Sequence, residues 1–201
     1  MQKNNVISGI SKFHNITKEE IDNLEKFIES LLDYNQRLNL IGASTIEDIW
    51  CRHILDSAQL LQFIPDQNIA IADLGTGAGF PGIILSILGI KNITLIEKSP
   101  KKCQFLRKVS EISPNNITIL ENNISEIKNL KFNLITSRAF APLDKLINIS
   151  KNLLTQNGSY LLLKGKSLEN EIKKAQTIIK NHKYKIFPSK TSSEGKIIKI
   201  T

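Results

Sequence analysis

The stretch Asp73-Leu-Gly-Thr-Gly-Ala-Gly-Phe-Pro-Gly82 constrains this chain most, because it joins one apolar run, 69–74, to another, 82–88. Glycines at 75, 77 and 79 remove Cβ atoms where the backbone turns, so a ligand can approach the main chain closely. In open α/β sheets such a turn joins the first strand to its helix, and ligands bind outside the carboxyl ends of the strands. The remaining sequence supplies the matching alternation. Strands are expected at 69–74, 93–97, 117–120, 132–136 and 160–163. Helices are expected at 82–88, 100–112, 143–154 and 168–181, a short turn or helix follows 120, and two last strands fall near 184–187 and 196–200. Runs such as Ile93-Thr94-Leu95-Ile96 suit strands covered on both faces. The expected fold is α/β, a doubly wound and mostly parallel sheet.

Upstream, the pattern is helical. Thr17 and Glu20 form a capping box for a helix over 17–36, whose apolar positions include Ile21, Leu24, Phe27, Ile28 and Leu31. Ser44 and Glu47 suggest a second box and a helix to about Leu61, with His53 in its apolar stripe and Arg52 and Asp56 at the edge. Three residues apart on a helix, His53 and Asp56 are neighbours, so Asp56 is expected to orient His53 as it packs the helix onto the sheet. Pro65-Asp66 ends this segment. Residues 1–66 are therefore read as an N-terminal helical cap and 67–201 as one compact core.

No apolar run approaches the roughly 18 residues of a membrane span, and the N-terminus has no apolar leader region. Two cysteines and three scattered histidines make no metal-ligand pattern. A soluble, cytoplasmic, monomeric protein without metal is expected, with Cys51 and Cys103 as inert packing thiols. The net charge of +8 is uneven: from Asp144 onward 12 lysines face four acidic groups, which accounts for all of it. A basic region of that kind points to a polyanionic partner, most often nucleic acid. Against 23 lysines stand only Arg37, Arg52, Arg107 and Arg138, so each arginine is a candidate for a role that needs a planar fork.

Two cofactor classes use a glycine loop of this layout. Gly77 to Gly82 fits the dinucleotide spacing G-x-G-x-x-G, while Asp73-x-Gly-x-Gly-x-Gly79 resembles motif I of S-adenosylmethionine-dependent methyltransferases. In both, Glu97 at the end of the second strand can accept hydrogen bonds from ribose hydroxyls. Tyr160-x-x-x-Lys164 matches a short-chain reductase pair, but in a strand the two lie roughly 13 Å apart, so the match is accidental. After the fourth strand stands Ser137-Arg-Ala-Phe-Ala-Pro142, not the Asp/Asn-Pro-Pro-Tyr/Phe of exocyclic amine methylation. Neither cysteine has the Pro-Cys setting of cytosine carbon-5 methylation. A ring nitrogen such as guanine N7 already carries a lone pair and needs neither device. A small-molecule or protein methyltransferase, a nicotinamide-dependent reductase and a non-catalytic RNA-binding protein remain as alternatives.

Tyr34-Asn35 with Asn39-Leu40, Arg52-His-Ile-Leu-Asp-Ser57, the loop Asp73–Gly82 and Ser137-Arg-Ala-Phe-Ala141 together resemble the RsmG (GidB) family, from about Tyr34 to the C-terminus. The resemblance implies a class I (Rossmann-like) methyltransferase forming 7-methylguanosine in the 530-loop region of 16S ribosomal RNA. By position it implies S-adenosylmethionine against the loop of Gly75, Gly77, Gly79 and Phe80. It places the adenine near Ile124-Ser125, Glu97 at the ribose and Arg138 in the cofactor pocket. Arg52 and His53 would line the RNA-facing edge, with Lys164 and Lys166 beside the active face at the end of the fifth strand. No catalytic base is assigned, and Arg138 is the first candidate for a functional role. The partner would be 16S RNA, a 30S assembly intermediate or the mature small subunit.

Overall fold

A computed structural model describes residues 2–201. Seven strands form one sheet of order β3-β2-β1-β4-β5-β7-β6. They are β1 (Ala70–Leu74), β2 (Asn92–Glu97), β3 (Asn116–Glu121), β4 (Phe132–Arg138), β5 (Leu154–Lys164), β6 (Tyr184–Pro188) and β7 (Lys196–Ile200). The first five run parallel, while β7 is antiparallel to β5 and β6 antiparallel to β7. The sheet is thus doubly wound and mostly parallel, as the sequence implied. Chain order reverses between β1 and β4, and the crevice above that point is where such sheets take ligands.

The strands are flanked by α1 (Lys3–Ile10), α2 (Lys18–Leu38), α3 (Asp56–Ala58), α4 (Gly82–Ile87), α5 (Pro100–Ser110), α6 (Leu143–Ser150) and α7 (Leu168–Ile179). Thr17 and Glu20 cap α2 reciprocally, each bonding the other's backbone N–H. Phe27 and Leu31 of α2 belong to the same apolar cluster as Ile54, Leu60, Ile83 and Phe105, so the N-terminal helices cover one face of the sheet continuously. The other face is covered by α6 and α7 through Leu143, Leu146, Ile147, Leu168, Ala175 and Ile179.

Three stretches differ from expectation. Helix α1 was not foreseen; only Val6 and Ile10 of its eight residues are buried, too few to give a periodic signal. The expected regular helix over 44–61 is instead a 3-10 turn (Ala43–Thr45), a π-helical turn (Trp50–Leu55), the short α3 and a second 3-10 turn (Gln59–Phe63). The wider π turn buries Cys51, His53, Ile54 and Leu55 together, a broader face than an α-helical stripe presents. The helix expected over 143–154 stops at Ser150, and β5 begins at Leu154. A register shift opposite Phe132 and Leu134 absorbs the polar residues Thr155 to Gly158.

Candidate active site

The glycine loop is organised by Asp73, which is fully buried. Its Oδ2 accepts from Thr76 Oγ1 at 2.6 Å and from Gly82 N at 2.9 Å, while Oδ1 is buried without a partner. Burial pushes the Asp73 carboxyl up to about 6, against the pull of those two hydrogen bonds. Gly75, Gly77 and Gly79 all have positive φ, which L side chains adopt only with strain. They differ in what a side chain would meet. A Cβ on Gly79 would strike Ile83 at 2.5 Å, and one on Gly75 would strike the Phe140 ring at 2.0 Å. At Gly77 the nearest atom is Gly75 O at 3.9 Å, so that side of the loop is open.

Glu97, 8% exposed at the end of β2, ties this loop to the next. Its Oε2 accepts from Gly77 N at 3.1 Å and its Oε1 from Ser99 N at 2.9 Å. Ile124 is buried and Ser125 exposed on a 3-10 turn after β3, where Asn123 Oδ1 accepts from both the amide and the hydroxyl of Ser125. An unpartnered carboxylate oxygen, an open glycine and a strand-end glutamate converge at the sheet's carboxyl edge. These acceptors beside an open backbone loop fit an adenosine-bearing cofactor, whose ribose hydroxyls donate.

Arg138 ends β4 and reaches across to the N-terminal helices. Its Nη2 donates to His53 Nδ1 at 2.7 Å, and its Nη1 donates to Arg52 O at 3.0 Å and to Asp56 Oδ2 at 3.4 Å. The guanidinium lies 4.6 Å from the Phe80 ring centroid, and His53 stacks on the same ring at 4.8 Å and 22°. The other nitrogen of His53, Nε2, bonds Thr45 Oγ1 at 2.8 Å, and Thr45 Oγ1 donates to Gly42 O at 2.7 Å. Only one proton order satisfies this chain: Nδ1 accepts, and Nε2 carries the hydrogen. Burial, with Arg138 and then Arg52 nearby, lowers the His53 pKa to about 3. His53 is therefore neutral and has no ring nitrogen free to act as a base. It was expected to be oriented by Asp56; instead Arg138 joins the two, because the π turn replaces the α-helical spacing that would make them neighbours. Phe80 is 3% exposed with its ring against Phe27, His53 and Arg138, so its backbone is what it can offer a ligand.

Beside Arg138 opens a cleft of about 670 Å³, lined by Arg52, His53, Asp56, Phe140, Lys164, Glu171 and the loop between β6 and β7. Arg52 is exposed there. Asp56 Oδ1 accepts from Gln59 Nε2 at 2.9 Å and Thr191 Oγ1 at 2.8 Å, which fastens the β6–β7 loop to the helices. Lys164 does not stand free at its strand end. Its Nζ donates to Ala141 O and to Glu171 Oε2, both at 2.7 Å, with side-chain exposures of 9% and 15% for the pair. Glu171 Oε2 also accepts from Leu143 N at 2.9 Å. Lys164 thus braces the loop from Arg138 to Leu143, and its ammonium is already committed where a phosphate contact was expected. Lys166 is exposed, as that contact requires.

The structure brings Gly77, Glu97, Arg138, His53 and Arg52 to one edge of the sheet. Sequence reasoning missed Thr45, Thr191 and the Phe140–Gly75 contact; only Phe140, inside Ser137–Ala141, carried a signal. Tyr160 is 2% exposed with its hydroxyl on Ser150 Oγ at 3.2 Å, which removes the reductase pair. Cys51 and Cys103 are buried, and burial raises both thiols.

A glycine loop governed by a buried aspartate, a strand-end glutamate and an open cleft past β4 define a Rossmann-like methyltransferase of the S-adenosylmethionine-dependent class. Solved structures of that class share the fold. A ribosomal protein L11 methylase from Lactobacillus delbrueckii matches with a TM-score of 0.61 at 18% identity, over 75% of this chain and 78% of the other. Magnesium protoporphyrin IX methyltransferase from Synechocystis, with bound SAM, matches with a TM-score of 0.62 at 14% identity, over 92% and 97%. Sequence narrows the class to one family. Residues 20–197 match the model of GidB, rRNA small subunit methyltransferase G, and the chain belongs to that family. It is similar to the ribosomal RNA small subunit methyltransferase G of Rickettsia felis, 41% identical over 92% of this chain and 95% of the relative. The Rickettsia bellii protein of that name is 43% identical over 92% and 95%, and that of Orientia tsutsugamushi 38% over 93% and 93%.

Proposed function

We propose that this chain transfers a methyl group from S-adenosylmethionine to N7 of a guanine in the 530-loop region of 16S ribosomal RNA. The cofactor supplies a methyl group on a cationic sulfur, activated for displacement. The loop from Gly75 to Gly79 would carry it, with Glu97 accepting from the ribose hydroxyls, the Ile124-Ser125 turn beside the adenine and Arg138 bordering the pocket. Arg52, exposed in the cleft, and Lys166 would meet the RNA, while Lys164 acts through the loop it braces.

The observation that carries the N7 assignment is the commitment of both His53 nitrogens. Guanine N7 attacks with its own lone pair and has no proton to lose, so the site needs position and exclusion of water rather than a base. Arg138, fixed by three acceptors and stacked on Phe80, is built for position. Among the described residues no helix is long and apolar enough to cross a membrane, and no metal-binding cluster occurs. The proposed setting is the cytoplasm, with a monomer acting on 16S RNA or a 30S particle.

The test is methyl transfer to 16S RNA in vitro, followed by nuclease digestion and mass spectrometry. Appearance of 7-methylguanosine at one site is the expected result. Methylation confined to protein or metabolites, or at another atom of the base, would overturn the assignment.

A further inference from the structure

Strand β6 forms the open edge of the sheet beyond β7. Lys185 stands directly opposite Lys199 in that antiparallel pair. Lys183, one position short of the strand, pairs its backbone with Thr201 by two 2.9 Å bonds, which puts it on the same face as Lys185. The Lys183 and Lys185 side chains are exposed, with no acidic partner among the described residues, and Lys199 Nζ reaches only the Phe63 carbonyl at 3.3 Å. Like charges directly opposite each other destabilise a strand pair. Edge lysines that block edge-to-edge pairing would account for Lys183 and Lys185. They do not account for Lys199, which sits on the covered strand. Nor do they account for Tyr184 and Ile186, 44% and 42% exposed on the opposite face, where they raise the very liability the lysines would suppress.

We propose that this edge is a second RNA-binding surface, with Lys183, Lys185 and Lys199 on phosphates along one face and Tyr184, across the open edge on the other face, stacking on a base. It rests on the reading of 16S RNA as substrate and extends it to nucleotides outside the active site. Charge complementarity selects the occupant, since the chain's whole positive excess lies in the segment that contains this corner. An RNA strand that wraps the open edge would meet the lysines on one face and the Tyr184 ring on the other, and base stacking on an aromatic holds single strands without sequence readout. The surface is continuous with the cleft. From Tyr184 the strand runs roughly 13 Å to Pro188 and enters the loop whose Thr191 bonds Asp56 in the cleft wall.

The experiment measures binding to naked 16S RNA across a salt series, with S-adenosylhomocysteine affinity as the check on folding. Lys183→Glu with Lys185→Glu is expected to weaken RNA more than tenfold and to reduce the salt slope by roughly 1.4–1.8, two phosphate contacts at about 0.7–0.9 each. Tyr184→Ala is expected to cost roughly tenfold. Lys185→Gln removes the repulsion with Lys199, so it should raise the melting temperature while weakening RNA. Unchanged RNA affinity and slope in these variants would overturn the proposal while leaving the substrate reading intact, provided the wild type still methylates 16S RNA. Loss on assembled 30S particles alone, with naked RNA bound normally, would assign the corner to a ribosomal protein and equally overturn it.

Discussion

Arg138 and His53 meet across the junction of sheet and N-terminal helices, one guanidinium nitrogen donating to Nδ1 at 2.7 Å. The same guanidinium also holds Arg52 O and Asp56, so a single side chain fixes the π turn above the cleft. A lysine in its place keeps the charge but can reach only part of this set and loses the planar stack on Phe80. Arg138→Lys is expected to lose about 1.5–3 kcal/mol, or roughly 10- to 150-fold in kcat/KM. A raised KM for the cofactor would place Arg138 at its carboxylate, and a lowered kcat at normal cofactor affinity would place it at the nucleotide. Wild-type rates with both substrates limiting would remove it from the site.

The His53 pKa gives a signed pH effect. In the unfolded chain His53 takes up a proton near 6.5, and in the folded protein only near 3. Stability is therefore intact above 6.5 and lost as pH falls toward 3. Between pH 7.5 and 4.5 the loss through this group is about 2–3 kcal/mol. Asp73, raised to about 6, has the opposite sign: its contribution is present below 3.8 and lost as pH rises through 6. The two slopes oppose each other, so the comparison must be between variants. Urea unfolding should show the advantage of wild type over His53→Asn shrinking on acidification, and that of wild type over Asp73→Asn growing. Parallel pH curves for wild type and His53→Asn would show that His53 is not held neutral.

The sheet was legible because buried strands and the loop at 73–82 have patterns that tolerate little else; strand order and register, which depend on which strands meet, came from the fold. The cap was less so. Its π turn answers to Arg138, some 85 residues away in sequence, and helical periodicity cannot register a partner that distant. Arg138 itself was legible as an arginine in a lysine-rich chain. Lys164 shows the complementary limit: a strand-end lysine looks free in sequence, and only the fold brings Glu171 beside it. Thr191 had no signal, since its role depends on where the β6–β7 loop is fastened.

Gly75 and Phe140 form a second pair open to test. An alanine at 75 would carry φ of +62° and a Cβ 2.0 Å from the Phe140 ring. Backbone strain alone costs about 1–3 kcal/mol, and the ring must also move. Phe140→Ala removes the steric part only. Thermal unfolding of Gly75→Ala, Phe140→Ala and the double variant should give a favourable coupling of at least about 0.5 kcal/mol. Strict additivity would mean that the ring does not rest on Gly75 in solution.

The two lysines at the end of β5 should separate cleanly. Lys164 is buried against Glu171, and removing one partner of such a pair leaves the other uncompensated, at a cost of about 3–5 kcal/mol. The pair is mostly rather than fully buried, which moderates this, so Lys164→Met is expected near the lower end. It should loosen the loop from Arg138 to Leu143, lowering both the melting temperature and kcat. Lys166 is exposed, and Lys166→Glu should leave the melting temperature within a degree or so while weakening RNA and flattening its salt dependence by roughly one phosphate contact. Glu171→Gln is the control: it keeps an acceptor for the Leu143 amide but removes the charge, so it should resemble Lys164→Met and not Lys166→Glu. If Lys164→Met instead folds with wild-type stability and loses only RNA affinity, the ammonium serves the substrate directly and the bracing role is wrong.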